Sequence, residues 1–79
     1  SNIPIAYVGD TIADINTVIN ARKEIPFQKF ISIGIAPPHL HLKNRLKERN
    51  SYEKNLQKAG ADLILNSINE LKNINLDLF

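Results

Sequence analysis

The chain contains no cysteine and no methionine among its 79 residues. Without cysteine, neither a disulfide nor a thiolate-bound metal can hold the fold together, and such a composition fits a protein of the reducing cytoplasm. No run of about 18 consecutive apolar residues is present, which excludes a transmembrane helix and predicts that no membrane partner is needed. We therefore expect a cytoplasmic protein.

Strong charge of either sign is also lacking. The chain has ten Lys and Arg residues and eight Asp and Glu residues, which gives a net charge of +2. This charge is too small to indicate nucleic-acid binding. The basic residues concentrate in the segment 43–49, but no aromatic residue interleaves with them, as a stacking platform for single strands would require. We expect this segment to be a solvated surface and expect no nucleic-acid partner.

Hydrophobic residues make up 43% of the chain, which is typical of a globular protein and argues against disorder. A chain this short holds one domain at most, because domains cluster at about 100–150 residues. We therefore treat residues 1–79 as part of a single domain.

Apolar runs alternate along the chain with segments of helical periodicity. The runs predict strands at 3–8, 30–35 and 62–65. The periodic segments predict helices at 12–23, from Asn50 or Ser51 to Lys58, and in a short stretch after Ser67. Residues 39–49 are compatible with a short amphipathic helix or with a long loop. Strands that alternate with helices favour an α/β fold, a three-layer Rossmann-like parallel sheet with the order β-α-β-α-β-α.

Candidate helix ends carry recognisable capping residues. Three of them have a capping residue followed three positions later by an acidic residue: Thr11 with Asp14, Asn50 with Glu53, and Ser67 with Glu70. Such pairs predict capping boxes. Gly60 is expected just past the end of the middle helix, where the backbone often takes a left-handed conformation.

The segment from Val8 to Asp14 carries the strongest chemical signal. Asp10 follows the first strand, and open α/β sheets bind ligands at the carboxyl ends of their strands. Asp14 lies four residues later in the first helical turn, so both carboxylates are predicted to point into one crevice. Such oxygen ligands suit Mg²⁺. The alternative is a turn aspartate beside a simple capping pair, and the spacing alone does not separate the two interpretations.

Two blocks of the sequence resemble the haloacid dehalogenase superfamily of phosphohydrolases. Residues 5–15 (IAYVGDTIADI) are similar to its fourth motif, in which an apolar strand ends in Gly-Asp and a second Asp follows on the next helix. Residues 56–71 are similar to the closing segment of its phosphoglycolate-phosphatase-like members, in which a helix ends in Ala-Gly-Ala-Asp before a short strand. The apolar strand 31–35 lies between the two blocks, as in the family.

This resemblance implies a partial core domain of a Mg²⁺-dependent phosphatase that acts on a small phosphorylated metabolite. Asp10 would bind Mg²⁺ directly, and Asp14 would bind the metal or its waters. The family's nucleophile is an aspartate in an Asp-x-Asp motif on another strand, and no such motif occurs here, since Asp62 and Asp77 are isolated. We therefore expect a C-terminal portion of the enzyme that is inactive alone. The strand at 3–8 would have an open edge, which would pair with a second copy or with the missing N-terminal part.

A second interpretation remains open, namely a non-catalytic α/β interaction or regulatory module. Other chemistries have less support. His39 and His41 are two positions apart without a third ligand, which makes a poor zinc site. Ser32 and Ser67 lack a His and an Asp at triad-like spacing, so a nucleophilic serine is not indicated.

Overall fold

A computed structural model describes residues 3–74 of the chain, and the isolated Asp77 lies outside these residues. Strands and α-helices alternate: β1 (Ile5–Gly9), α1 (Ile12–Glu24), β2 (Phe30–Ile35), α2 (Leu46–Ala59) and β3 (Leu63–Leu65). Short 3₁₀ segments complete the described chain at Pro38–Leu40, Lys43–Arg45 and Ile68–Asn73. The predicted strands are thus confirmed to within two residues at each end.

The three strands form one parallel sheet in the order β1-β2-β3. Val8 lies opposite Ile33, and Ile33 lies opposite Leu63. The chain therefore moves across the sheet in one direction, with α1 crossing from β1 to β2 and α2 crossing from β2 to β3. The prediction of an α/β fold with a parallel sheet is therefore confirmed. No helix within residues 3–74 is long and apolar enough to cross a membrane.

The two faces of the sheet differ in side-chain size. On one face Ile31, Ile33 and Leu65 form a buried hydrophobic cluster, against which Leu71 and Ile74 pack. On the other face β2 presents its small residues, because side chains alternate between the faces of a strand. A Cβ built on Gly34 would lie 3.2 Å from a methyl carbon of Leu56 on α2, so the glycine allows this helix to approach closely. The helices α1 and α2 also contact each other.

Helix α1 begins as predicted. The Thr11 hydroxyl accepts a hydrogen bond from the Asp14 N–H at 3.2 Å, and the Asp14 carboxylate accepts one from the Thr11 N–H at 3.1 Å. This reciprocal pair is the predicted capping box. The helix ends at Glu24, before Pro26, with Arg22 and Lys23 in its last turn, where cations oppose the helix dipole favourably.

Helix α2 begins at Leu46, earlier than predicted, so Asn50 lies inside the helix and its predicted capping box with Glu53 is wrong. The residues from Leu46 to Arg49 are good helix formers, and Glu53 forms an ion pair with Arg49 at 3.1 Å, one turn earlier. The helix continues directly from the Lys43–Arg45 turn, and Arg45 makes no side-chain cap. At the other end Gly60 has a φ of 123°, which confirms its expected role past the helix.

The segment after Ser67 is a 3₁₀ helix, Ile68–Asn73, rather than the expected α-helix. The Ser67 side chain makes no capping hydrogen bond, so the predicted capping box with Glu70 is wrong. Instead the Glu70 N–H donates to the Ser67 carbonyl at 3.2 Å and closes the tighter turn through the backbone.

Strand β1 is an edge strand, since within residues 3–74 it pairs with β2 alone. Its apolar side chains are poorly covered, with Ile5 49% exposed and Tyr7 41% exposed. No charged residue lies on the strand. Edges of natural sheets are usually protected by charge, proline or a covering element, and β1 between Ile5 and Gly9 carries no charge or proline.

Candidate functional site

The predicted site residue Asp10 lies at the carboxyl edge of the sheet, directly after Gly9, the last residue of β1. Nearby, the end of β2 and the segment after β3 surround a cavity of about 420 Å³. The residues that line this cavity are Asp10, Ile35, Ala36, Pro38, His41 and Ser67. Open α/β sheets bind ligands at this position. Asp10 therefore follows a strand of a parallel sheet, as the sequence predicted.

The backbone of Asp10 is fixed on both sides, whereas its carboxylate has no hydrogen-bond donor among the described residues. Its N–H donates to Asp14 Oδ2 at 3.1 Å, and its carbonyl accepts a hydrogen bond from the Tyr52 hydroxyl. Within residues 3–74 the carboxylate of Asp10 accepts no hydrogen bond. A half-buried carboxylate without a protein donor is available to a cation or to a donor group of a ligand.

Asp14 has a different role, because one of its oxygens is occupied by the turn. Asp14 Oδ2 accepts hydrogen bonds from the N–H of Asp10 at 3.1 Å, the N–H of Thr11 at 3.1 Å and the hydroxyl of Thr11 at 2.9 Å. The Thr11 hydroxyl is the main cause of a lowered pKa of Asp14. Burial opposes it, and the two N–H groups and the Tyr7 hydroxyl add to the lowering. The carboxylate is therefore charged at neutral pH.

Gly9 is required for this arrangement because of space. A Cβ on Gly9 would lie 2.2 Å from the Cβ of Asp14 and 2.6 Å from its carboxyl carbon. No side chain fits at these distances, so only glycine lets the first turn of α1 lie so close to the end of β1. The Gly-Asp pair in the sequence thus has a geometric explanation that does not depend on any ligand.

The structure places Asp14 Oδ2 against the N–H of Asp10, and it shows Asp14 in the capping pair of the alternative interpretation. That both carboxylates point into one crevice stays a prediction. A metal-binding role is compatible with the capping pair, because the hydrogen bonds of the turn go to Asp14 Oδ2. Two carboxylates fit a Mg²⁺ ion, which takes one or two of them together with waters and a phosphate. No group of three or more metal-binding side chains occurs in the described part of the chain, so they would supply only part of the ligands.

Tyr52 is a site residue that the sequence reasoning missed. It lies on α2, and its hydroxyl reaches the Asp10 carbonyl across 42 positions of the chain. Burial raises the pKa of Tyr52, and the charges of Asp10 and Asp14 raise it further, so the hydroxyl is protonated and donates at neutral pH. Helical spacing could have indicated that Tyr52 faces inward, because it lies one turn before Leu56, which is fully buried.

The two histidines do not act as a pair. His41 lines the cavity beside Asp10, and its Nε2 donates to the Ala36 carbonyl at 2.7 Å, which holds the loop after β2. His39 is exposed and lines a different groove, beside Lys47 and Tyr52. Ser67 also lines the cavity, whereas Ser32 is buried in β2 with a hydroxyl that has no partner in the described structure.

Asp62, the other isolated aspartate within residues 3–74, has a structural role. Its Oδ2 accepts hydrogen bonds from Arg22 at 2.6 Å and from the Ser32 N–H at 2.8 Å. It precedes β3, whereas Asp10 follows β1, so the two carboxylates lie toward opposite ends of the parallel sheet. Asp62 is therefore separate from the candidate site.

Comparisons of this chain with protein-family models, with curated proteins and with solved structures gave no match. Within residues 3–74 the structure shows a small α/β fold with three parallel strands and two α-helices, in which Asp10 lines a cavity at the carboxyl edge and donates its N–H to Asp14.

Proposed function

We propose that this chain is the C-terminal, Mg²⁺-binding portion of the core domain of a phosphohydrolase of the haloacid dehalogenase superfamily, within its phosphoglycolate-phosphatase-like group. The observation that carries the proposal is the carboxylate of Asp10, which no donor within residues 3–74 occupies, beside a cavity at the carboxyl edge of a parallel sheet. The two sequence blocks at 5–15 and 56–71 add the family resemblance.

In this proposal Asp10 binds the metal directly, and Asp14 binds it or its waters. A bound Mg²⁺ would offset the repulsion between an attacking carboxylate and a phosphate group. The chain's own contribution is geometric. Gly9 leaves room for Asp14, and Asp14 holds the backbone N–H groups of Asp10 and Thr11, so the position of Asp10 is set before a ligand arrives.

The nucleophile would come from another strand, because the sequence contains no Asp-x-Asp motif. The unpaired edge of β1 supports this part of the proposal, since a strand hydrogen-bonded there would end beside Asp10. We therefore expect the 79-residue chain to bind Mg²⁺ weakly and to hydrolyse no phosphate ester alone.

Metal binding tests the proposal directly. Mn²⁺, a paramagnetic substitute for Mg²⁺, should broaden the amide signals of Gly9, Asp10 and Thr11 selectively in the isotope-labelled chain, and excess Mg²⁺ should reverse the effect. Asp10→Asn should abolish the broadening. Glu24→Gln removes an exposed carboxylate at the far end of α1 and should leave the broadening unchanged. Uniform broadening, or broadening that survives Asp10→Asn, would refute Asp10 as a metal ligand.

A second candidate is a non-catalytic module that binds a partner through the β1 edge, and the exposure of Ile5 and Tyr7 favours it. The two candidates differ in the role of the metal. A binding module would associate with its partner equally well in Mg²⁺ and in EDTA, and with Asp10→Asn. Turnover of p-nitrophenyl phosphate by the pure 79-residue chain would contradict both proposals.

A further inference from the structure

The Tyr52 hydroxyl connects helix α2 to the end of β1 at Asp10. The other hydrogen bond that Asp10 makes with the described residues lies in its own turn, where Asp14 accepts its N–H. Tyr52 is half-buried, and its aromatic ring also forms one wall of a groove between α2 and the Pro38–Leu40 turn. A single hydroxyl therefore links a distant helix to the residue at the centre of the candidate site.

Both polar backbone groups of Asp10 are fixed, one by each helix. Asp14 on α1 accepts its N–H at 3.1 Å, and Tyr52 on α2 donates to its carbonyl. Two anchors on opposite sides of one residue restrict rotation of both adjoining peptide planes, and this sets the direction in which the side chain leaves the backbone. The Asp10 carboxylate itself has no protein donor within residues 3–74, so its orientation depends on these backbone contacts.

We propose that Tyr52 is a positioning residue that holds the carboxylate of Asp10 in the orientation needed to bind a divalent cation. This inference rests on the proposed function, because it assumes that Asp10 is a metal ligand. Groups that orient a metal ligand from behind commonly change metal affinity when they are removed, even though they never touch the metal.

The test uses Tyr52→Phe in the full 79-residue chain, with Mn²⁺ as the probe and amide relaxation as the measure of affinity. The phenylalanine keeps the ring and removes only the hydroxyl. The apparent Mn²⁺ dissociation constant should rise by about tenfold, and the ¹³C signal of the Asp10 carbonyl should shift without metal. Ser51→Ala removes a neighbouring exposed hydroxyl on α2 and should change neither quantity. Tyr52→Met, which also lacks the hydroxyl, should reproduce the loss of affinity if the phenylalanine variant does not fold.

The outcomes separate this inference from the proposed function. If the wild type binds Mn²⁺ through Asp10 and a folded Tyr52→Phe binds it equally well, the positioning role is wrong and the metal site stands. If the wild type shows no binding that depends on Asp10, the proposed function fails and the positioning role fails with it. A general loss of stability would move the melting temperature, whereas the predicted effect is a loss of affinity measured far below that temperature.

Discussion

Arg22 and Asp62 form an ion pair that ties helix α1 to the sheet, with 2.6 Å between Arg22 Nη2 and Asp62 Oδ2. The same guanidinium nitrogen donates to the Phe30 carbonyl at 2.9 Å, and the same carboxylate oxygen accepts the Ser32 N–H at 2.8 Å. The pair therefore joins the last turn of α1, the strand β2 and the entrance to β3. The aspartate of the Ala-Gly-Ala-Asp block is explained by this structural role.

The two partners should contribute unequally to stability. Asp62→Ala leaves the Ser32 N–H without its acceptor, and losing the partner of a buried backbone donor costs about 1–3 kcal/mol. Arg22→Ala removes a partly exposed partner, and exposed ion pairs contribute roughly 0–1 kcal/mol. Urea unfolding of both variants measures the difference. Equal losses in the two variants would show that the backbone contact of Asp62 is unimportant.

Asp14 should make stability depend on pH at the acidic end. Its pKa in the folded chain lies below the ordinary value of 3.8, mainly because of the Thr11 hydroxyl. Its contribution is therefore fully present above the unfolded pKa and is lost as the pH falls through the folded pKa. Asp14→Asn should lower the free energy of unfolding at neutral pH and flatten its dependence below about pH 4. Urea titrations from pH 2 to 7 measure this, and a wild-type slope in Asp14→Asn would contradict it.

Gly9 and Gly34 should differ in their tolerance of a methyl group. At Gly9 the added carbon would meet Asp14 at 2.2 Å, close to the backbone, whereas at Gly34 it would meet the flexible end of Ile64 at 3.0 Å. Overpacking costs about 1–3 kcal/mol, and we expect Gly9→Ala at or beyond the upper end and Gly34→Ala near the lower end. Thermal unfolding followed by circular dichroism shows which of the two variants loses more stability. The reverse order would contradict the close contact at the start of α1.

Ser32 should tolerate, or gain from, the loss of its hydroxyl. Its Oγ is buried without a partner in the described structure, and an unsatisfied buried polar group costs about 1–3 kcal/mol. Ser32→Ala should therefore leave the free energy of unfolding unchanged or raise it. Ser32→Thr keeps the hydroxyl and adds a methyl group beneath the helices, so it should lower stability. A clear loss of stability in Ser32→Ala would show that the hydroxyl has a partner.

The open edge of β1 should cause self-association. The Ile5 N–H donates toward β2, to the Lys29 carbonyl, and since successive N–H groups of a strand alternate in direction, that of Ala6 points to the open side. Ala6→Pro removes this donor and should yield a monomer, whereas Ala6→Val keeps it and should still associate. Sedimentation velocity over a range of concentrations measures the oligomeric state of each variant. A wild type that stays monomeric at high concentration would contradict the predicted pairing.

Local signals in the sequence predicted local structure well. Thr11 and Asp14 are three residues apart, and both halves of their capping box depend only on the turn between them. Gly60 was equally predictable, because its left-handed backbone is a property of one position. The start of α2 could not be predicted in the same way. Asn50 has a capping side chain, but the good helix formers before it extend the helix to Leu46.

The candidate site was predictable in position but not in detail. The strand before Asp10 and the helix after it fix where its carboxylate lies, and both can be inferred from the apolar pattern. The Tyr52 contact depends on how α2 packs across 42 positions of the chain, which no local pattern specifies. The sequence also could not show that Asp10 and Asp14 differ in role. The hydrogen-bond geometry shows that the turn occupies Asp14 Oδ2, whereas no donor within residues 3–74 occupies the Asp10 carboxylate.

The order β1-β2-β3 has a consequence for how the molecule forms. Within residues 3–74 each strand pairs only with a strand next to it in the chain, so the largest loop that must close there is one crossover, a helix with its two connections. Loop-closure entropy rises with loop length, and folding is faster when contacts are close in sequence. We therefore expect this parallel sheet to assemble outward from β2, one crossover at a time, without waiting for distant segments to meet.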